Sequence, residues 1–130
     1  MYWADEIAEA VMARPKDLYK VHDYKTPSGR IHVGALRGVV VHAIVTRALE
    51  AHGHKAAYTY GFDDYDAMDG FPQYLPESFR QYMGRPLCNI PSPEEGYESF
   101  AQYYAQEFID SFHKFWFFKF EFRNRTTKSK

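Results

Sequence analysis

Cysteine is scarce in this 130-residue sequence, and long apolar runs are missing. The only cysteine is Cys88, so an internal disulfide is excluded, as is typical of a reducing compartment. No apolar run approaches the length that spans a bilayer, and the first residues, Met1–Glu6, are too acidic for a secretion signal. These absences predict a cytoplasmic protein that makes no membrane contact.

An excess of charge of one sign is also missing. The net charge is −1, from 16 basic and 17 acidic residues, so no overall field attracts nucleic acid. Any contact with RNA must therefore come from a local patch, for which the sequence offers Lys25, Arg30 and Arg37. Aromatic residues, by contrast, are abundant at 18%, and many of them must be buried in a core.

The most informative segment is a Gly- and Pro-rich turn at residues 25–34. Before it, residues 18–24 alternate apolar and polar side chains, which predicts a short strand. After it, apolar residues recur at helical spacing until Gly53, a typical residue just past a helix end. A strand, a tight loop and a helix direct backbone N–H groups and the positive end of a helix dipole at a phosphate.

Two side chains strengthen the prediction of a nucleotide site in this turn. His32 adds a neutral hydrogen-bond donor at the start of the helix. Gly34 has no side chain, so a planar base can rest directly on the backbone there. We interpret the turn as a nucleotide site; an ordinary strand-to-helix turn is the alternative.

The remaining elements follow from periodicity. A helix is predicted from residue 3 to 14, with Trp3, Ile7, Ala10 and Val11 on one apolar face. A buried strand is predicted at 56–62, and it ends in the carboxylates Asp63, Asp64 and Asp66. The segment 67–96 is predicted to be an irregular, Pro-rich insertion, since residues 68–93 hold five of the seven prolines. A helix at 98–116 with an aromatic stripe and a strand at 118–123 complete the chain. The stripe consists of Phe100, Tyr104, Phe108, Phe112 and Phe115.

This order predicts an α/β fold. It is the βαβαβ half of a doubly wound parallel sheet, Rossmann-like, with an N-terminal helix and the insertion. Ligands of such sheets bind beyond the carboxyl ends of the strands, where both the turn at 25–34 and the carboxylates at 63–66 would lie. On this interpretation the carboxylates contact substrate. The alternative is that they are solvated residues of an ordinary turn. Spacing alone leads no further than a nucleotide-binding half-Rossmann domain.

The amino-acid sequence of the turn resembles that of a known family. T-P-S-G-R-I-H-V-G-A-L-R-G resembles the first signature loop of class I aminoacyl-tRNA synthetases, the HIGH region. Further segments are similar, in order and spacing, to the class I lysyl-tRNA synthetases, and the resemblance runs from about Trp3 to Lys130. These segments are Phe62–Asp66, Met68–Gly70, Tyr82–Leu87, Ile90–Pro93 and Tyr103–Phe108.

The resemblance implies a HIGH-type domain that activates lysine with ATP and Mg²⁺ and transfers it to the acceptor end of tRNA(Lys). It implies that His32 is catalytic, near the phosphates, and that Gly34 lies under the adenine. The implied ATP-binding residues are Pro27, Ser28, Gly29, His32 and Gly34. The implied amino-acid-binding residues are Thr26, Asp63, Asp64 and Asp66.

The sequence departs from the family pattern in the signature itself and at the positions of a zinc site. Ala35 replaces the second histidine of the signature. Some members carry a zinc site whose positions match Ser92, Gly96, Tyr97 and Tyr103 here, none of them a plausible zinc ligand set, so no zinc or other bound metal is expected.

The lysine-rich KMSKS loop and the anticodon-binding domain are missing from the sequence. Residues 1–130 are therefore expected to be one partial catalytic domain, an N-terminal piece that is impaired alone. An exposed sheet edge is expected to promote association. The alternatives are a non-catalytic nucleotide- or tRNA-binding remnant or paralogue, and another HIGH-superfamily nucleotidyltransferase with a small-molecule acid as substrate.

Overall fold

A computed structural model describes residues 2–114 and 121–122, and its elements follow the predicted order. The parts of the last predicted helix and strand at 115–120 and 123 lie outside the described residues. Among the described helices, none combines the length and apolar character needed to cross a membrane. The elements are α1 (Trp3–Met12), β1 (Tyr19–Lys25), α2 (Val33–Ala51), β2 (Ala56–Phe62), 3₁₀ helices at Glu77–Tyr82 and Leu87–Asn89, α3 (Phe100–Lys114) and β3 (Glu121–Phe122).

The strands form a parallel sheet in the order β1-β2-β3. Strands β2 and β3 are paired in parallel, with Thr59 opposite Glu121. The Tyr19 amide donates to the Lys55 carbonyl at 2.9 Å, and the Asp63 amide donates to the Lys25 carbonyl at 3.1 Å. The start of β1 therefore pairs with the start of β2 and its end with the end of β2, which makes this pair parallel as well.

The described residues divide into two compact units. The first comprises residues 2–23, 32–61 and β3, and the second comprises residues 24–31 and 62–114. Within the first unit α1 packs on α2. Its buried cluster is formed by Ala4, Ala8, Tyr19, Val45, Ala48 and Leu49.

The packed face of α1 differs from the apolar face that the sequence predicts. Ala4 and Ala8 are the buried residues of the helix, whereas Trp3, Ile7 and Val11 remain 38%, 42% and 39% exposed. Alanine allows α1 to approach α2 closely, and the larger side chains are left on the outer side of the helix.

The contact between β1 and α2 in the first unit is polar. The Asp23 carboxylate lies 3.5 Å from Nδ1 of His42, and a Cβ built at Gly38 would lie only 3.0 Å from Asp23 Oδ2. Burial, together with the negative charge of Asp23, raises the pKa of Tyr58 on β2 well above its ordinary value. Tyr58 therefore stays a neutral phenol at physiological pH.

The second unit is built around the aromatic stripe predicted for α3. Phe100, Tyr104, Phe108 and Phe112 are all buried, and Phe115 lies outside the described residues. The segment before α3 contributes apolar residues to the same core, where the 3₁₀ helix Leu87–Asn89 packs on α3. These residues are Met68, Leu75, Leu87 and Ile90.

The end of α2 is a Schellman motif, as the glycine after the helix predicts. Gly53 has φ +83°, its amide donates to Glu50 O at 2.9 Å, and the His54 amide donates to Leu49 O at 3.2 Å. The two bonds satisfy carbonyls that the helix leaves without partners.

Replacing Gly53 by alanine should lower the free energy of unfolding by about 1 kcal/mol, because a Cβ is strained at this φ. Nothing lies within 4 Å of the new Cβ, so the effect comes from the backbone alone. Urea denaturation of Gly53→Ala is compared with Gly70→Ala, whose Cβ also enters open space and whose φ lies outside the left-handed region. Equal losses in the two variants would contradict the backbone explanation.

Candidate nucleotide-binding site

The start of α2, in the first unit, is where the sequence predicts a phosphate site. His32 is the N-cap residue with an extended backbone (φ −133°, ψ 163°), and its carbonyl accepts from the Ala35 amide at 2.9 Å. The first amides of a helix have no intrahelical acceptor and carry the positive end of the dipole. The His32 side chain makes no capping hydrogen bond and is exposed, so its imidazole can serve a ligand.

The imidazole of His32 lies over the backbone of Gly34. A Cβ built at Gly34 would lie 3.0 Å from His32 Nδ1 and 3.1 Å from Cε1, tighter than ordinary contact. A Cβ at this position would therefore force the imidazole to shift by a few tenths of an ångström. The structure brings together the two residues of the turn that the sequence singled out first.

The loop after β1 belongs to the second unit and forms a tight turn. The Ser28 amide donates to the Thr26 carbonyl at 2.9 Å, and Pro27 is fully buried. The hydrogen bond between Asp63 N and Lys25 O joins the first residue after β2 to the last residue of β1. Both loops therefore leave the sheet at the same edge, as the sequence predicts for parallel strands.

Thr26 and Asp66, both predicted to bind the amino acid, contact each other directly. Thr26 Oγ1 donates to Asp66 Oδ2 at 2.9 Å, while Asp66 Oδ1 accepts from the Ala67 amide at 3.0 Å. Both carboxylate oxygens are thus engaged, and Asp66 fixes the orientation of the Thr26 hydroxyl.

Asp64 lines a cavity of about 440 Å³ along α3, together with Cys88, Glu98 and Gln102. Its carbonyl accepts from the Cys88 amide at 2.8 Å. Burial, and then the charge of Asp64, raise the pKa of the Cys88 thiol. The three predicted carboxylates therefore have different surroundings, and Asp63 is exposed at the end of the strand. Within the described residues, no group of three or more His, Cys, Asp or Glu side chains could hold a metal ion.

Ser28 lines a separate cavity of about 320 Å³ with Asp69, Gly70 and Phe71. Asp69 is exposed and was not among the predicted site residues. Its place within Met68–Gly70, one of the segments that resemble the family, was the available signal.

Two further side chains hold the backbone of the loop. The Arg30 amide donates to the Tyr74 hydroxyl at 2.7 Å, and the Ile31 amide donates to Glu107 Oε1 at 3.3 Å. Sequence analysis missed both residues, since they lie 44 and 76 positions away along the chain. Glu107 lies within Tyr103–Phe108, one of the segments that resemble the family, whereas Tyr74 lies outside all of them.

The family model described as tRNA synthetases class I (K) matches residues 1–129. The chain belongs to this family of class I tRNA synthetases.

Several curated proteins named lysine–tRNA ligase are similar to the chain. The chain is 37% identical to that of Archaeoglobus fulgidus over 111 residues, which is 85% of this chain and 22% of the relative. It is 38% identical to that of Methanocaldococcus jannaschii over 112 residues (85% and 21%) and 32% identical to that of Pyrococcus horikoshii over 116 residues (88% and 22%). The chain thus spans about a fifth of the length of these relatives.

The thiol of Cys88 should react slowly with iodoacetamide at pH 8, because a raised pKa leaves less thiolate than in an ordinary cysteine. Asp64→Asn removes a neighbouring negative charge, so it should speed alkylation by about threefold and move the midpoint of the pH–rate profile down. Asp69→Asn, in the other cavity, is the control and should leave the rate unchanged. A rate that does not respond to Asp64→Asn would contradict the assigned electrostatic coupling.

Proposed function

We propose that this chain carries the ATP- and lysine-binding part of a lysine–tRNA ligase. The whole protein would activate lysine as lysyl-adenylate and transfer it to tRNA(Lys). Residues 1–130 would form one catalytic part, with 67–96 as an insertion in it. One observation carries the proposal: the imidazole of His32 lies over the bare backbone of Gly34 at the start of α2. Membership of the class I family and the names of the relatives support it.

The proposed ATP site uses donors rather than a nucleophile. ATP would bind as its magnesium complex, with the phosphates at the first amides of α2 and His32, and with the adenine on the Gly34 backbone once the exposed His32 imidazole turns from it toward the phosphates. Pro27, Ser28 and Gly29 are the other proposed ATP-binding residues. A lysine carboxylate oxygen attacks the α-phosphorus, the bond from that phosphorus to the oxygen bridging to the β-phosphate breaks, and pyrophosphate leaves. Fixed N–H donors stabilise the charge on the phosphorus oxygens.

For lysine we propose Thr26, Asp63, Asp64 and Asp66, in different roles. Asp66 already accepts hydrogen bonds from Thr26 and Ala67, so its main effect would be to orient the Thr26 hydroxyl toward substrate. Asp63 and Asp64 are the better partners for an ammonium group, since a charge-assisted hydrogen bond would compensate its loss of water.

We further propose the cytoplasm as the compartment and the tRNA acceptor end as a partner of the whole protein. The single cysteine and the basic residues beside the turn support these two points.

Calorimetric titration of the chain with Mg–ATP should show weak, saturable binding. His32→Ala should weaken ATP affinity by about tenfold, because a donor to the phosphates is lost. His52→Ala, at the opposite end of α2, is the matched control and should leave ATP affinity unchanged. An absence of ATP-dependent heat, or equal affinity in wild type and His32→Ala, would contradict the proposed ATP site.

We also propose that the sheet is half of a doubly wound sheet in which β1 would be an inner strand. Among the described strands β1 lies at one edge. In the first unit, a groove of about 850 Å³ runs beside it, lined by apolar residues of α1, β1 and α2 and by Arg14, Lys16 and Lys20. Ile7, Val11 and Leu18 in this groove are each about 40% exposed. An edge strand beside exposed apolar side chains favours pairing with another strand.

The isolated chain should therefore self-associate through this surface. The double variant Ile7→Asn, Val11→Asn should shift sedimentation toward the monomer, because it removes apolar surface that association would bury. The free energy of unfolding should change little, since Ala4 and Ala8 form the packed face of α1. Val33→Asn, at a residue that is 84% exposed on α2, is the control. Sedimentation that is the same in all three proteins would argue against the edge as the contact.

A further inference from the structure

We propose that Tyr74 is a positioning residue for the signature loop. In this role its hydroxyl fixes the Gly29–Arg30 backbone and thereby sets the affinity for ATP, an inference that rests on the proposed function. The hydroxyl accepts from the Arg30 amide at 2.7 Å. The same side chain presents the face of its ring to the Arg30 guanidinium, 4.6 Å from the ring centroid. Tyr74 thus contacts Arg30 through both backbone and side chain.

Gly29 shows how close this contact is. A Cβ built at Gly29 would lie 2.3 Å from the Tyr74 hydroxyl oxygen, a distance that real Cβ atoms do not reach. Glycines with positive φ occur at other positions in the chain, and Gly29 is not among them. Conformational freedom therefore does not explain a glycine here. The hydroxyl of Tyr74 occupies the space where a side chain would begin.

Tyr74 is itself held by the core of the second unit. Its ring contacts the ring of buried Tyr104 on α3, with centroids 6.4 Å apart. One turn further along α3, Glu107 accepts from the Ile31 amide, the residue next to Arg30. Two successive amides that lead into His32 are thus bound by side chains fixed on α3 or against it.

Such tethers order the loop before a ligand arrives. A loop ordered during folding does not have to lose conformational entropy on binding, and this raises affinity without adding a contact to the ligand. Removing the Tyr74 hydroxyl leaves the ring and its packing on Tyr104 in place, although it also removes the hydrogen bond that joins the two side chains. The expected loss therefore falls mainly on loop order and ATP affinity, with a smaller effect on global stability.

The test is a double-mutant cycle of Gly29→Ala and Tyr74→Phe. Three quantities are measured for each protein: amide hydrogen exchange of Arg30 by NMR without ATP, the dissociation constant of Mg–ATP by calorimetry, and the melting temperature. Tyr65→Phe removes a hydroxyl from a tyrosine that is 70% exposed in the same unit, and it serves as the matched control.

Tyr74→Phe should speed exchange at Arg30 by about tenfold and weaken ATP binding by about fivefold, with a fall in melting temperature too small to account for the weaker binding. Gly29→Ala should weaken ATP binding at least as much, because its Cβ displaces the hydroxyl. In the double variant the nearest remaining ring atom of residue 74, Cζ, lies 3.6 Å from the new Cβ, an ordinary contact. The double variant should therefore bind ATP like Tyr74→Phe alone.

The inference would be overturned by additive losses in the cycle, by unchanged exchange at Arg30 in Tyr74→Phe, or by faster exchange with unchanged ATP affinity. A lower melting temperature that accounts for the whole loss of ATP binding would also overturn it, since Tyr74 would then act only through stability. If the wild type fails to bind ATP while exchange responds as expected, the proposed function fails but the tether of Arg30 by Tyr74 stands.

Discussion

Parallel pairing of β1 with β2 determines where the candidate site residues lie. The bonds from Tyr19 to Lys55 and from Asp63 to Lys25 fix the register at both ends of the pair. A slip of one residue would reverse the face of every side chain on a strand. With this register, the loop after β1 and the loop after β2 begin at hydrogen-bonded residues. The contact between Thr26 and Asp66 follows directly, since each lies a few residues beyond that bond.

Close approach is the second constraint, and glycines on α2 provide it. Gly34 and Gly38 are four residues apart and so lie on the same face of the helix. At Gly38 the missing side chain makes room for the Asp23 carboxylate of β1, and at Gly34 it makes room for the imidazole of His32. The absence of a side chain thus serves both the packing of α2 on β1 and the approach of His32 to the start of α2. Neither glycine has a positive φ, so the space that a glycine leaves, and not its backbone freedom, matters at both positions.

Local patterns predicted the elements well, because periodicity reports which residues are buried. They also singled out His32 and Gly34, which are near neighbours in sequence, and the role of these two residues in a nucleotide site stays a prediction. They failed for α1, where alanines rather than Trp3 and Ile7 form the packed face, since an apolar stripe does not say how close two helices come. They could not separate Asp64 from Asp66, because neighbouring residues in a loop can have different surroundings: Asp64 lines the cavity along α3, whereas Asp66 bonds Thr26.

The tethers of the loop explain why a family resemblance extends over the whole chain and not only over its signature. The donors at the start of α2 are a property of any helix and need no distant partner. Residues 26–31 have no such internal support: Thr26, Arg30 and Ile31 are bound by Asp66, Tyr74 and Glu107. A working loop therefore requires a particular segment after β2 and a particular face of α3. The segments Phe62–Asp66 and Tyr103–Phe108, which resemble the family, contain two of these three partners.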